Sequence, residues 1–242
     1  MTGIIIGAVL LIAAIAVIVL LAIRRKSDPH TSTRALRKLA DVRGWHFSHP
    51  EAASSAYGLS GESMLQGADE SALDWRVRWH LRTKRKDDHE VTEFKCADVP
   101  LEQAWVFLEP RASAAELKAR QRTAELGQRL PDDLHPGAKK CVWKDAQLHA
   151  REMQVGSPEF LAQFYVASTG KESMVRRLLP QRMQKALLAL PVAGHLSVRM
   201  GAEGVVMISP AIHATDRVEQ FIKVGEILIS SVAQEQTAQV LV

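Results

Sequence analysis

Apolar and polar positions divide the chain into one unbroken oily run and a long mixed remainder. From Gly3 to Ile23 there are 21 residues drawn only from Gly, Ala, Val, Leu and Ile. At about 1.5 Å of rise per residue such a run, coiled as a helix, covers the roughly 30 Å hydrocarbon thickness of a bilayer. It predicts a transmembrane helix over 1–23. Its fourteen large aliphatics each favour insertion by about 0.3 to 0.6 kcal/mol. A cleaved signal peptide, the alternative, carries its basic residues before a shorter apolar core, whereas Arg24, Arg25 and Lys26 follow this one. The same asymmetry determines topology: the N-terminus outside, one pass through the membrane, and the rest of the chain cytoplasmic. Gly3 and Gly7 form a GxxxG spacing that permits a homodimer through helix–helix packing, with an ordinary scatter of small residues as the alternative.

The remainder predicts an α+β soluble domain. Residues 24–43 read as a basic juxtamembrane linker and a short helix, capped at Ser32 or Thr33, striped by Leu36, Leu39 and Ala40, and stopped at Gly44. Lying flat on the membrane is an alternative for that helix. Residues 44–140 read as a β-meander subdomain with one helix. Its most regular stretch alternates, with Trp75, Val77, Trp79, Leu81 and Thr83 on one face and Arg76, Arg78, His80 and Arg82 on the other. Lys84–His89 follows as a charged turn, then strands at Val91–Ala97 and Trp105–Leu108, together an antiparallel meander. Ser113-Ala-Ala-Glu116 matches a capping box, predicting a helix to about Gln128, and Pro131–Lys140 reads as a loop. Residues 141–242 form a second α+β subdomain. It contains a strand over Phe160–Ser168, helices either side of Pro180, a hairpin pairing Leu196–Met200 with Val205–Ser209, and a closing helix over Thr215–Ile229. The C-terminal part is thus a helix-hairpin-helix layer.

Charge changes the picture in one place. The chain has a formal charge of +4, yet residues 24–43 alone hold seven basic and two acidic residues, leaving 24 basic and 25 acidic residues in 44–242. The basicity belongs to the membrane flank, where the topology rule accounts for it. Cys96 and Cys141 form no CxxC or framework pattern and are expected to be reduced. No lipidation signal accompanies the apolar run.

Candidate chemistry is sparse. Ser168-Thr-Gly-Lys171 lacks the Gly five residues before its Gly-Lys pair, so it is not a Walker A loop and reads as a strand-to-helix turn. Gly58-Leu-Ser60-Gly61 lacks the second Gly of a nucleophile elbow. His46, His49, His135, Cys141 and His149 show none of the spacings that pre-position zinc ligands. No catalytic residue, metal site or cofactor is assigned. The basic strand face of Arg76, Arg78, Arg82 and Lys84 is the candidate for gripping an oxyanion or an acidic partner, because guanidinium forks donate two hydrogen bonds to oxyanions. A solvated face with cross-strand partners at Glu90 or Glu93 is the alternative. Nucleic acid is not the expected partner, since Trp75 and Trp79 point away from these arginines and offer no stacking platform.

The run Phe160-x-x-x-Phe164-x-Val166-x-Ser168, then Leu178-Leu179-Pro180, a Leu-rich helix, a Gly-turn hairpin and a closing helix, resembles uncharacterised bacterial membrane-tethered α+β proteins over the last third of the chain. The resemblance implies a fold and an anchor, in a bacterial inner membrane, and no catalytic residues. The expectation is therefore a single-pass protein whose cytoplasmic domain binds an unknown protein partner without catalysis. A membrane-bound enzyme with an unrecognised site and an anionic-lipid sensor are the alternatives.

Overall fold

Trp75, Val77 and Trp79 are buried while Arg76 is exposed and Arg78 and His80 lie between, so the strand that alternates in sequence alternates in space. The computed structural model describes residues 29–48, 63–67, 74–84, 87–125 and 142–240, with 29–32, 81–84, 87–89, 124–125 and 239–240 described by backbone alone. The predicted membrane segment with Gly3 and Gly7, the basic flank of Arg24, Arg25 and Lys26, Ser60, His49, His135, Cys141 and the loop 131–140 lie outside the described residues. Among the described residues no helix is long and apolar enough to cross a membrane.

The first helix, α1 (Pro29–Arg43), buries Leu36 and Ala40 and half-buries Leu39. Gly44, at φ +66°, ends it in the left-handed conformation that glycine tolerates. Trp45 donates its N–H to the Ala40 carbonyl at 2.9 Å across that stop. Nine strands then build one antiparallel sheet in the order β1-β2-β3-β4-β9-β8-β5-β7-β6. They are β1 (His46–Ser48), β2 (Ser63–Gln66), β3 (Trp75–Lys84), β4 (Asp87–Cys96), β5 (Val106–Pro110), β6 (Arg151–Glu152), β7 (Phe164–Ser168), β8 (Ser197–Gly201) and β9 (Gly204–Pro210). Strands from residues 44–140 and from 141–242 interleave in it, so the boundary at 140 does not divide the sheet.

The predicted meander holds for β3 and β4 and fails at β5. The free edge of β4 is taken by β9, whose Val205 and Met207 stand opposite Cys96 and Phe94. The chain between β4 and β5 instead crosses to the far side of the β8–β9 hairpin, with Val99 and Leu101 buried and Leu101 donating its N–H to the Gly201 carbonyl at 2.8 Å. The hairpin fits there because Gly204 has no side chain: a Cβ at that position would lie 2.0 Å from the Cys96 carbonyl oxygen. The charged turn expected over 84–89 is also shorter, since the ladder continues to Lys84 opposite Asp87.

One face of the sheet carries the main core, with Leu65, Val77, Phe94, Met207, Val198, Leu108 and Val166 packed under helices. Those helices are α1 with α4 (Pro158–Gln163), α5 (Glu172–Leu178), α6 (Gln181–Leu188) and α7 (Thr215–Val240). α4 corrects the strand expected from Phe160. Ser157 caps it, accepting the Phe160 N–H at 3.2 Å, with Pro158 in the first turn, and Phe160 and Phe164 then stack across one helical turn at 4.9 Å. α7 runs eleven residues beyond the expected Ile229 to Val240 because Val232 and Glu235 remain buried there. Arg177 closes over Glu235 with two hydrogen bonds of 2.6 Å.

Candidate functional site

The opposite face of the sheet is where the polar side chains of the alternating strands collect, and it falls into two halves. The half formed by β5, β7 and β6 lies under α2 (Ala114–Glu125) and α3 (Val142–His149). A small second core fills that contact: Trp105, Phe107, Ala114, Leu117, Ala150, Tyr165 and Ala167, with Trp143 and Ala146 at its margin. A 3₁₀ turn at Arg111–Ser113 leads into α2, so the predicted cap position is already helical. The boundary between the halves is marked by Arg199, nine-tenths buried, whose guanidinium lies 4.0 Å from the centre of the Trp143 ring.

Among the described residues the other half, over β2, β3, β4 and β9, is the more open one, exposed at Arg76 and Lys95 and still buried at Val206 on β9. Register places Gln66, Arg76, Lys95, Val206 and Arg199 in one row across the strands, and Met64, Arg78, Glu93, Ile208 and Ser197 in the next. Arg76 and Lys95 are exposed. Arg76 is braced by Asp74, its Nη2 donating to Oδ2 at 2.8 Å. Asp74 in turn accepts from Gln66 Nε2 at 3.1 Å and donates its own N–H to Asp98 at 2.7 Å. Arg78 stands opposite Glu93, one of the two partners expected from sequence. Glu90, the other, faces Leu81 in the ladder and pairs with His213 at 3.3 Å. The ladder carries β3 on through Arg82, opposite His89, and Lys84, opposite Asp87. Of the predicted basic face, Arg76 and Arg78 are thus brought together on an open surface. Lys95 joins them from β4; the alternation of Glu93, Phe94, Lys95 and Cys96 was the signal for it.

A cleft of about 410 Å³ opens at the covered end, lined by Lys118, Gln121, His149, Arg151, Glu152 and Tyr165 among others. Glu152 accepts from Lys118 at 2.6 Å and from Arg111 at 3.2 Å, and the Lys118 hydrogen bond chiefly holds its carboxyl below the ordinary range. Burial pushes the Tyr165 hydroxyl up, so it stays protonated near neutral pH and is not a base. The cations Lys118 and Arg111 sit 5.4 and 5.9 Å from the Tyr165 ring. Among the described residues this arrangement holds paired charges and sets no nucleophile beside a base. Four separate elements, α2, α3, β6 and β7, line the cleft, and no local spacing in the sequence announces that convergence.

The remaining candidates take structural places. Ser168 donates to the Trp105 carbonyl at 2.8 Å and accepts the Gly170 N–H at 2.9 Å, so the Ser168–Lys171 stretch is a strand-to-helix turn. Cys96 is fully buried and unbridged, and burial raises its thiol above the ordinary value, the environment of an inert thiol. His46 on β1 and His149 beside β6 belong to opposite edges of the sheet.

No family model matches the chain, and no curated protein matches it. Among solved structures, the crystal structure of the mycobacterial trehalose monomycolate transport factor A is similar, with a TM-score of 0.46 and 10% identity over 83% of this chain and 94% of that one. A likeness of that degree assigns neither a family nor a function.

Proposed function

We propose that the chain is a single-pass membrane protein of a bacterial inner membrane, with a cytoplasmic, non-enzymatic domain. The open half of its sheet receives an acidic segment of a protein partner. The observation that carries the binding reading is the placement of Arg76 directly opposite Lys95 on β3 and β4, with Arg78 two residues along β3 opposite Glu93. Cations opposite one another weaken a sheet, and an incoming carboxylate relieves that repulsion while taking paired hydrogen bonds from guanidinium. The anchor is supported by the 21-residue apolar run and its basic flank, which follow the hydropathy and topology rules for a membrane span.

In-membrane crosslinking with mass spectrometry tests this reading, comparing the wild-type chain with Arg76→Glu/Arg78→Glu/Lys95→Glu. Loss of a specific acidic neighbour from the triple variant is the expected result. An unchanged set of neighbours removes the sheet face as the binding surface.

A further inference from the structure

Building on the membrane-tethered reading, we propose that α1 is a basic foot that lays the domain on the anionic phospholipid headgroups of the bilayer entered by residues 3–23. The two faces of α1 are sharply divided. Leu36 and Ala40 are buried, and the helix packs against β1 and α7, while Arg34, Arg37 and Lys38 are exposed. None of these three cations has an ion pair among the described residues, whereas Arg43 at the end of the same helix is bound to Glu219 of α7. Asp41 is the one exposed acid on the described side chains of α1.

Chain length places this surface beside the lipid. Pro29 follows Ile23 by six residues, a reach of no more than about 22 Å even fully extended. Arg34 and Lys38 then lie roughly 8 and 14 Å further along the helix. The apolar side of α1 is occupied by the protein core, so this helix does not sink between acyl chains as an amphipathic interfacial helix does. Its attraction is that of basic side chains for a negative leaflet, which acts within about 8 Å at physiological salt. Anionic headgroups are therefore the occupant that the charge and the tether select. The geometry also separates the two basic surfaces. α1 lies on the core side of the sheet and Arg76 and Lys95 on the other, so a domain resting on α1 turns its open sheet face away from the bilayer.

The test uses the full chain in nanodiscs of phosphatidylcholine alone or mixed with phosphatidylglycerol. Val42 is 73% exposed and continues the Arg34–Lys38 stripe by one turn. A nitroxide is placed there by Val42→Cys in a Cys141→Ser background, and headgroup-chelated nickel reports its proximity to lipid. Strong relaxation in the anionic discs that falls in neutral discs and in high salt is expected. The variant Arg34→Gln/Arg37→Gln/Lys38→Gln, altered only at exposed positions, should lower the ratio of docked to undocked domain on the order of a hundredfold. Equal relaxation in both lipids, or a triple variant that behaves as wild type in anionic discs, overturns the foot while leaving the tether intact. A chain that fails to co-elute with the discs overturns both.

Discussion

Arg76 and Lys95 stand directly opposite each other on β3 and β4, both exposed, on the sheet face that α1 and α7 leave uncovered. Arg76 turns to Asp74, and Lys95 has no ion pair among the described residues. Like charges in directly opposed positions destabilise a sheet, so removing one of them should strengthen it. Lys95→Thr is predicted to raise stability by roughly 0.2 to 1 kcal/mol, read as a higher urea midpoint of the full chain in detergent. A lowered midpoint would mean that Lys95 contributes to the sheet and is not held there for a ligand.

The approach of α7 to the sheet depends on Gly225. A Cβ at that position would lie 2.5 Å from Phe94 Cζ, and Phe94 is fully buried beneath Trp75, to which it stacks at 5.8 Å. Alanine in a helix interior is worth about 1 kcal/mol more than glycine, but overpacking a closed core costs about 1 to 3 kcal/mol. Gly225→Ala is therefore predicted to destabilise, with a lower melting temperature; stabilisation would show that the ring can move aside.

His213 and Glu90 make a pH-dependent contact. The hydrogen bond that His213 donates to Glu90 chiefly raises the imidazole above its ordinary value of 6.5, against the opposing effect of burial. A raised folded-state value means that the folded chain holds this proton more tightly than the unfolded one. The contribution to stability is thus fully present below pH 6.5 and is lost as pH rises through the folded value. An imidazole titration by NMR should show His213 above 6.5 and Glu90→Gln bringing it down. An unmoved titration in that variant would exclude Glu90 as the cause.

Ser157 caps α4 through the Phe160 N–H, and Ser157→Ala is predicted to lose about 1 kcal/mol, measured by thermal unfolding. An unchanged melting temperature would locate the stability of that turn in Gln184. Its Oε1 accepts the Ser157 N–H at 2.8 Å.

Much of the fold was legible where one physical constraint dominates locally. The alternation of Trp75 to Thr83 reports a sheet with one buried face, Gly44 reports a left-handed helix stop, and Gly201 and Gly204 report a tight hairpin between β8 and β9. Legibility fails where two readings share a pattern. Phe160 and Phe164 suit an alternating strand and one helical turn equally, and only the Ser157-Pro158 start signal separates them. The polar composition after Ile229 hides Glu235, whose burial depends on Arg177 fifty-eight residues earlier. The place of β9 beside β4 depends on which distant edge best completes the core, a choice made by packing and not by any local spacing. For the same reason the basic face was visible on β3, while the cleft around Tyr165 was not.

The proposed function requires a domain held at the cytoplasmic side of a membrane. Glu203 lies exposed in the β8–β9 turn, so Glu203→Cys in a Cys141→Ser background provides a reporter on the domain surface. Spheroplasts of the expressing bacterium are treated with a membrane-impermeant maleimide before and after permeabilisation. Labelling only after permeabilisation is predicted. Equal labelling of intact spheroplasts would place the domain on the outer side and contradict the account.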